Sequence, residues 1–247
     1  SEANSWAVHS AVEYARSKNL KPRLLISAIE HESVQLAAKF HEACGAELKI
    51  IPVTKNGVID LEWLKNLLAT DANWSLISVM HANNETGVVQ PVEQVVAAAK
   101  AHLIPTHVDC VQTLGKMPLS VRKIGATYTT FSAHKVGGLK GTGILAIQGT
   151  GKILTPLIHG KQQKSLRGGT ENPVGVAAFG SVLMQLKKTA GFATSLTMMR
   201  NDFEAKLKKL IPGTIIHGEG TSRLYNTTFV GFEGADGDGI LMGLDLE

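Results

Sequence analysis

Long apolar runs are missing from this sequence, since no stretch approaches the roughly 20 residues a membrane-spanning helix needs. Cysteine is scarce too. The two present, Cys44 and Cys110, stand in no CxxC or CxxH spacing, which argues against a zinc site or a disulfide framework and makes a reducing, cytoplasmic setting the expectation. Charge of one sign is also lacking: 25 Lys and Arg against 21 Asp and Glu leave a formal net charge of +4. The basic residues are scattered apart from short clusters such as "LKKLI", and aromatic residues make up only 5%. No basic stripe interleaved with aromatics is present, so nucleic acid is not expected as a direct partner, and a small anionic ligand suits the mild charge at least as well. The opening "SEANSWAVHS" has neither the basic nor the apolar region of a secretory leader.

What is present is a globular composition, 44% apolar and 19% charged over 247 residues, enough for one large domain or a domain and a half. Trp6, Val8, Ala11, Val12 and Ala15 recur at helical spacing, so the chain opens in or just before a helix. Strands and helices then alternate: strand "RLLISA", helix "SVQLAAKFHEA", strand "ELKIIPV", a helix at about 60 to 68, strand "SLISVMH", helix "VEQVVAAAKAHL" and strand "PTHVD". "ATYTTFS" and "GTGILAIQ" supply two more strands. This alternation, with apolar strand interiors, predicts a mostly parallel central sheet flanked by helices, an α/β fold. From residue 172 onward the pattern changes to long helices, "VGVAAFGSVLMQLKK" and "LTMMRNDFEAKLKKLI", and short strands "TIIHG" and "NTTFVGF". We therefore expect a large domain over 1–185 and a connecting helix with the start of a small α+β domain over 186–247. The final "DGDGILMGLDLE" has the spacing of a helix that stops without a cap, and both ends read as truncated.

In a parallel sheet, ligands bind beyond the carboxyl ends of the strands. Four strand ends carry polar residues: Glu30 and His31, "HANNETG" (81 to 87), Asp109 with Gln112, and "SAHK" (132 to 135). Singly, each has an ordinary explanation. His31 suits a helix start, Asn83 and Asn84 suit a turn, Asp109 suits a cap, and lysine is usually solvated. Together, a cofactor site accounts for all four. Lys135 is placed to form a Schiff base if burial or a neighbouring cation lowers its basicity. Asp109 could keep a pyridine nitrogen protonated, and the glycines at 137, 138, 141 and 143 would let the backbone come close to a flat cofactor and its phosphate. Neither "GGLKGTG" nor "LRGGT" has the spacing of a nucleoside-triphosphate or dinucleotide motif, though both suit turns whose N–H groups face a phosphate.

"SAIEHESV", "SVMHANNETGVVQPV", "THVDCVQTLGKMPL", "FSAHKVGGLKGTGIL" and "LRGGTEN" resemble, in order and spacing, the cysteine desulfurase and selenocysteine lyase family of pyridoxal 5'-phosphate (PLP) enzymes, class V aminotransferase-like proteins of fold type I. The resemblance implies that Lys135 carries PLP and then takes the substrate α-proton, that Asp109 pairs with the pyridine nitrogen, and that Gln112 and Asn84 contact the phenolic oxygen. His31 would stack on the ring and share in proton transfer. Ser1, Ser132 and His134 would hold the phosphate, Ser1 at a helix N-terminus where anions are favoured. Thr170 would reach the phosphate of a neighbouring subunit, which implies a homodimer. The implied reaction converts L-cysteine to L-alanine and passes sulfur to an enzyme cysteine, and onward to an iron–sulfur scaffold or another sulfur-acceptor protein.

The sequence departs from the family in three places. The family's sulfur-accepting cysteine and its carboxylate-gripping arginine lie C-terminal to the stretch resembling "FEGADGDGILMGLDLE", and a glycine-rich phosphate turn precedes the position of Ser1. Cys110 stands where the family commonly has alanine and reads as a small core residue. "IHGKQQKSLRGGT" is shorter than the family's glycine-triplet loop, which unsettles the register of Thr170. The expectation is a fragment that binds PLP without desulfurase turnover. The alternatives are a selenocysteine lyase or other class V lyase, and a non-catalytic interaction subunit of the same fold.

Overall fold

A computed structural model describes residues 1–149, 154–186 and 192–246. In chain order the elements are α1 (Glu2–Ser17), β1 (Arg23–Ser27), α2 (Glu32–Ala43), β2 (Glu47–Ile51), α3 (Leu61–Thr70), β3 (Leu76–Ser78), α4 (Val92–Ala101), β4 (Thr106–Asp109), α5 (Val121–Ile124), β5 (Tyr128–Ser132) and β6 (Gly143–Ile147). Then follow α6 (Gln162–Ser165), α7 (Pro173–Leu186), α8 (Phe192–Leu210), β7 (Thr214–Ile216), β8 (Val230–Phe232) and α9 (Gly237–Asp245). The last two residues of the helix expected over "VGVAAFGSVLMQLKK", 187 and 188, lie outside the described residues.

Six strands form one sheet in the order β2-β1-β3-β4-β5-β6, parallel throughout except for the antiparallel pair β5–β6. Side chains alternate across a strand, so a sheet covered on both faces must be apolar on both. Leu24 and Ile26 of β1, with Leu76 of β3 and Tyr128 of β5, pack on Ala7, Val8, Ala11 and Val12 of α1 and on Val34 and Ala38 of α2. Leu25, Ile77 and Val108 point the other way, into a larger core with Leu64 and Leu68 of α3 and Val92, Val95, Val96 and Ala99 of α4. Short caps fix the helix starts: Asp60 accepts from Trp63 N–H, Ser120 from Lys123 N–H and Asp236 from Gly239 N–H.

β3 is shorter than the strand "SLISVMH" suggests. Beyond Ser78 the chain leaves the regular ladder but stays tethered to β4, with Val79 N–H donating to His107 C=O at 3.0 Å and His81 N–H to Asp109 C=O at 2.8 Å. The loop that follows is held from outside the sheet: Leu224 N–H donates to Gly87 C=O and Val89 N–H to Ser222 C=O, each at 2.8 Å. β7 and β8 pair antiparallel in a separate two-stranded sheet. Near them Glu204 of α8, 7% exposed, takes both guanidinium N–H groups of Arg223 at 2.8 and 2.7 Å and the hydroxyl of Thr228.

Leu24 is fully buried between the sheet and the α1–α2 layer. Leu24→Ala is expected to destabilise the fold by about 2–5 kcal/mol, because the rigid layer cannot close the cavity left behind. The measurement is a urea unfolding midpoint, and an unchanged midpoint would show that this layer repacks freely.

Candidate active site

The chain runs outward from β1 to β2 on one side and from β3 to β6 on the other, so the order reverses between β1 and β3. The loops leaving these two strands diverge, and a crevice opens at their carboxyl ends. Its walls include Ile29, Glu30, His31, Gln35, Asn83 and Asn84. Two of the sequence-derived site residues, His31 and Asn84, thus share one cleft. Asn83 builds the turn, its Oδ1 accepting from the N–H of Glu85 and Thr86 and from the Thr86 hydroxyl, as expected of a turn asparagine. Asn84 donates to Glu85 Oε1 at 2.5 Å.

Asp109 closes β4 and is buried, 4% exposed. Its Oδ1 accepts from Val111 N–H at 2.9 Å and its Oδ2 from Asn4 Nδ2 at 2.8 Å. No helix begins there; the residues after β4 form turns, so the side chain braces a turn instead of capping a helix. Gln112 lies in that turn, and its Oε1 accepts from Lys116 Nζ at 2.8 Å, leaving its NH2 group as the donating end.

His31 is the N-cap of α2, with Nδ1 accepting from Ser33 N–H at 3.1 Å and lying 2.8 Å from Ser33 Oγ. The ordinary reading of His31 as a helix-starting residue holds, and the cap fixes the ring through Nδ1. Ser1 N-caps α1 without a side-chain cap bond, so its hydroxyl is not used to close the helix. Glu2 binds the Arg167 guanidinium at 2.8 and 3.0 Å, which brings the "LRGGT" stretch against the start of α1. Thr170 is exposed just beyond it.

β5 ends in a single 3-10 turn, Ala133–Val136, closed by Gly137 with φ +86°. A side chain there would be strained, so the abrupt turn that presents Lys135 requires glycine. Gly138 has a different duty: an added Cβ would stand 3.0 Å from Ala133 C=O, so this glycine makes room for the chain's own backbone, where the sequence suggested room for a cofactor. Ser132 Oγ and His134 Nδ1 lie 2.8 Å apart on the same turn. Lys135 itself is exposed, and the burial expected of it is not seen in this chain. Its charge acts on Lys116, whose pKa is lowered first by burial and then by Lys135.

Several residues that organise the site were not identified from the sequence: Asn4, Ser33, Ser78, His107, Lys116 and Thr130. Thr130 Oγ1 donates to Asn4 Oδ1 at 2.6 Å, and His107 stands between Thr130 at 3.4 Å and Ser78 at 2.8 Å. Ser78 lies 3.5 Å from Glu30 Oε2, while Glu30 Oε1 accepts from Ser27 Oγ and Met80 N–H. Burial pushes the Glu30 carboxyl up to about 8, helped by the nearby charge of Asp109, and burial lowers His107 so that its ring stays neutral. A signal was available for Ser78, His107 and Thr130, since "SLIS", "THVD" and "TTFS" place polar residues inside strands that are otherwise apolar and buried on both faces.

The aminotransferase class-V family model matches residues 1–246. The chain belongs to the aminotransferase class-V family. Within it, the chain is 36% identical over 248 residues to "Cysteine desulfurase IscS" of Dictyoglomus turgidum, covering 100% of this chain and 62% of that protein. Among solved structures it resembles a NifS-like protein from Rickettsia africae, with TM-score 0.82 and 32% identity over 97% of this chain and 66% of that one. It also resembles "SspA in complex with cysteine", with TM-score 0.82 and 27% identity over 100% of this chain and 67% of that one. The chain spans about three fifths of the length of the curated relatives it matches.

Glu30 makes stability pH-dependent in a defined direction. Its folded pKa lies above the unfolded value of 4.5, so the native state holds the proton more tightly. Its contribution to stability is therefore greatest below about 4.5 and is lost as pH rises to about 8, where the fold must either ionise a buried carboxyl or open. Glu30→Gln is expected to remove this loss, giving a urea midpoint that changes less between pH 5 and pH 8 than that of the unmodified chain. Parallel pH curves for the two proteins would refute the assignment.

Proposed function

We propose that the chain is the cofactor-holding part of a PLP-dependent cysteine desulfurase. The observation that carries this reading is the convergence, at the carboxyl ends of one sheet, of an exposed lysine amine on a glycine-closed turn and a buried carboxylate with acceptor capacity left. Asp109 receives one N–H at each oxygen, and a carboxylate can accept about four, so a protonated ring nitrogen fits there. Gln112 would offer its NH2 group, and Asn84 its amide, to the phenolic oxygen. Ser132, His134 and the Ser1 hydroxyl at the α1 N-terminus form a donor set suited to a phosphate.

When bound, PLP supplies an electron-withdrawing ring that takes up the electron pair left when the substrate loses its α-proton. The chain's own residues do the rest. Lys135 Nζ would hold the cofactor and, once released by substrate, take the proton from the substrate Cα. His31, fixed through Nδ1, would cover the ring face and present Nε2 for proton transfer. Cysteine as the substrate is supported by the relatives named cysteine desulfurase and by the structural neighbour solved with cysteine.

Passing sulfur onward requires a thiolate nucleophile, and neither cysteine in these residues fits that part. Cys110 is fully buried beside Asp109, and burial pushes its thiol up to about 12. Cys44 caps the far end of α2, roughly 20 Å from His31 at 1.5 Å per residue. The reading therefore assigns the carbanion chemistry to these residues and the sulfur-accepting thiol to another part of the protein.

We extend the proposal to a cytoplasmic homodimer that hands sulfur to an iron–sulfur scaffold or another acceptor protein. Val174, Val176 and Met184, exposed at 69%, 65% and 69%, leave apolar side chains uncovered along α7, which supports a partner against that helix. The domain division at 185/186 is part of the same proposal. Among the described residues, no helix is long and apolar enough to cross a membrane.

Borohydride reduction of the PLP-loaded protein followed by peptide mass mapping is expected to place the label on Lys135, and Lys135→Ala is expected to abolish both the label and the cofactor's visible absorption band. A band that survives the substitution would overturn the reading. The 247-residue chain is further expected to keep PLP while releasing no sulfide from L-cysteine. Multiple-turnover sulfide release would show that one of its two cysteines is the acceptor after all.

A further inference from the structure

Asn4 is 4% exposed on α1, and both ends of its amide are engaged by residues distant in sequence. Nδ2 donates to Asp109 Oδ2 at 2.8 Å and to Ser33 Oγ at 2.9 Å, and Oδ1 accepts from Thr130 Oγ1 at 2.6 Å. An amide has two N–H groups and one carbonyl, so neither of its donors is left over. One side chain thus ties together α1, α2, β4 and β5.

These contacts also have a determined direction. Ser33 Oγ receives a hydrogen from Asn4, so its own hydrogen turns to His31 Nδ1, which already accepts Ser33 N–H. Thr130 Oγ1 gives its hydrogen to Asn4 Oδ1, so on this side too the orientation of the amide is set by its partners.

We propose that Asn4 is a positioning residue that orients the Asp109 carboxylate for a ligand's ring nitrogen. The inference rests on the PLP reading above. It goes further by assigning the geometry of Asp109 to a residue to which that reading gives no contact with cofactor or substrate.

A buried amide that merely fills space would affect all ligands alike, whereas one acting through Asp109 matters only to a ligand with a ring nitrogen. The test is equilibrium binding, by the full 247-residue chain, of PLP and of its 1-deaza analogue, in which a ring C–H replaces the nitrogen. Asn4→Ala is expected to weaken PLP by about tenfold or more, the scale of a lost hydrogen bond to a charged group, and to change analogue binding by no more than about twofold. Asn4→Leu is close in shape but offers no amide donor, and the same selective loss is expected; it keeps the test available if the alanine variant does not fold, as checked by circular dichroism. An equal loss for both ligands, or an unchanged PLP affinity, would overturn the role of Asn4. A wild-type chain that binds no PLP is a different result, which overturns the cofactor reading and with it this inference.

Discussion

A carboxylate buried at the end of a parallel strand is the constraint on which the rest of this structure depends. Asp109 can sit at 4% exposure only because N–H groups reach both of its oxygens, since an unpaired buried charge is strongly unfavourable. One of those groups belongs to the turn after β4 and the other to α1, so the first turn of that helix must reach the carboxyl ends of the strands with Asn4 facing inward. The alanine-rich face of α1 meets this requirement. Ala7, Ala11 and Ala15 let the helix approach the sheet closely, and Trp6 Nε1 ties its flank to Thr155 C=O at 2.7 Å. Packing and site geometry are thereby coupled, because moving the helix outward would strip a donor from the carboxylate.

The reversal of strand order supplies the second requirement, an open crevice. With β1 and β3 adjacent and their following loops turning apart, His31 and Asn84 reach the same cleft from opposite sides. The loop bearing Asn84 is long and would be poorly determined by the sheet alone. Its position is set by Asn83, which organises the turn internally, and by backbone bonds from residues 222 and 224. The segment containing β7 and β8 therefore bears on the geometry of the site while contributing no side chain to the cleft walls named above.

The sheet and most element positions were legible because parallel strands covered on both faces leave a plain trace, apolar runs alternating with amphipathic helices. The candidate site residues were proposed from strand ends, where polarity is otherwise unexpected. Asn4 and Ser33 were not legible there, because each is ordinary within its own element and acquires meaning only from partners far away in the chain, 105 residues in the case of Asn4 and Asp109. Gly138 shows the opposite error. Its place in a glycine cluster suggested a ligand's approach, and what approaches is Ala133. The short 3-10 turn that carries Lys135 was equally invisible, since a span of four residues has no period to read.

Glu30 and Asp109 together show why the polar core is arranged in one direction. Two carboxyls joined through a buried network repel each other if both are charged, and the less hydrated one takes the proton. Glu30 is the more enclosed, its Oε1 held by Ser27 and Met80 and its Oε2 facing Ser78, and its pKa rises to about 8. Asp109, left charged, takes the NH2 of Asn4, and the Thr130 hydroxyl donates to the carbonyl of the same amide. The amide cannot then flip, because the reversed orientation would set its NH2 against the Thr130 hydroxyl hydrogen and its carbonyl against the Asp109 oxygen.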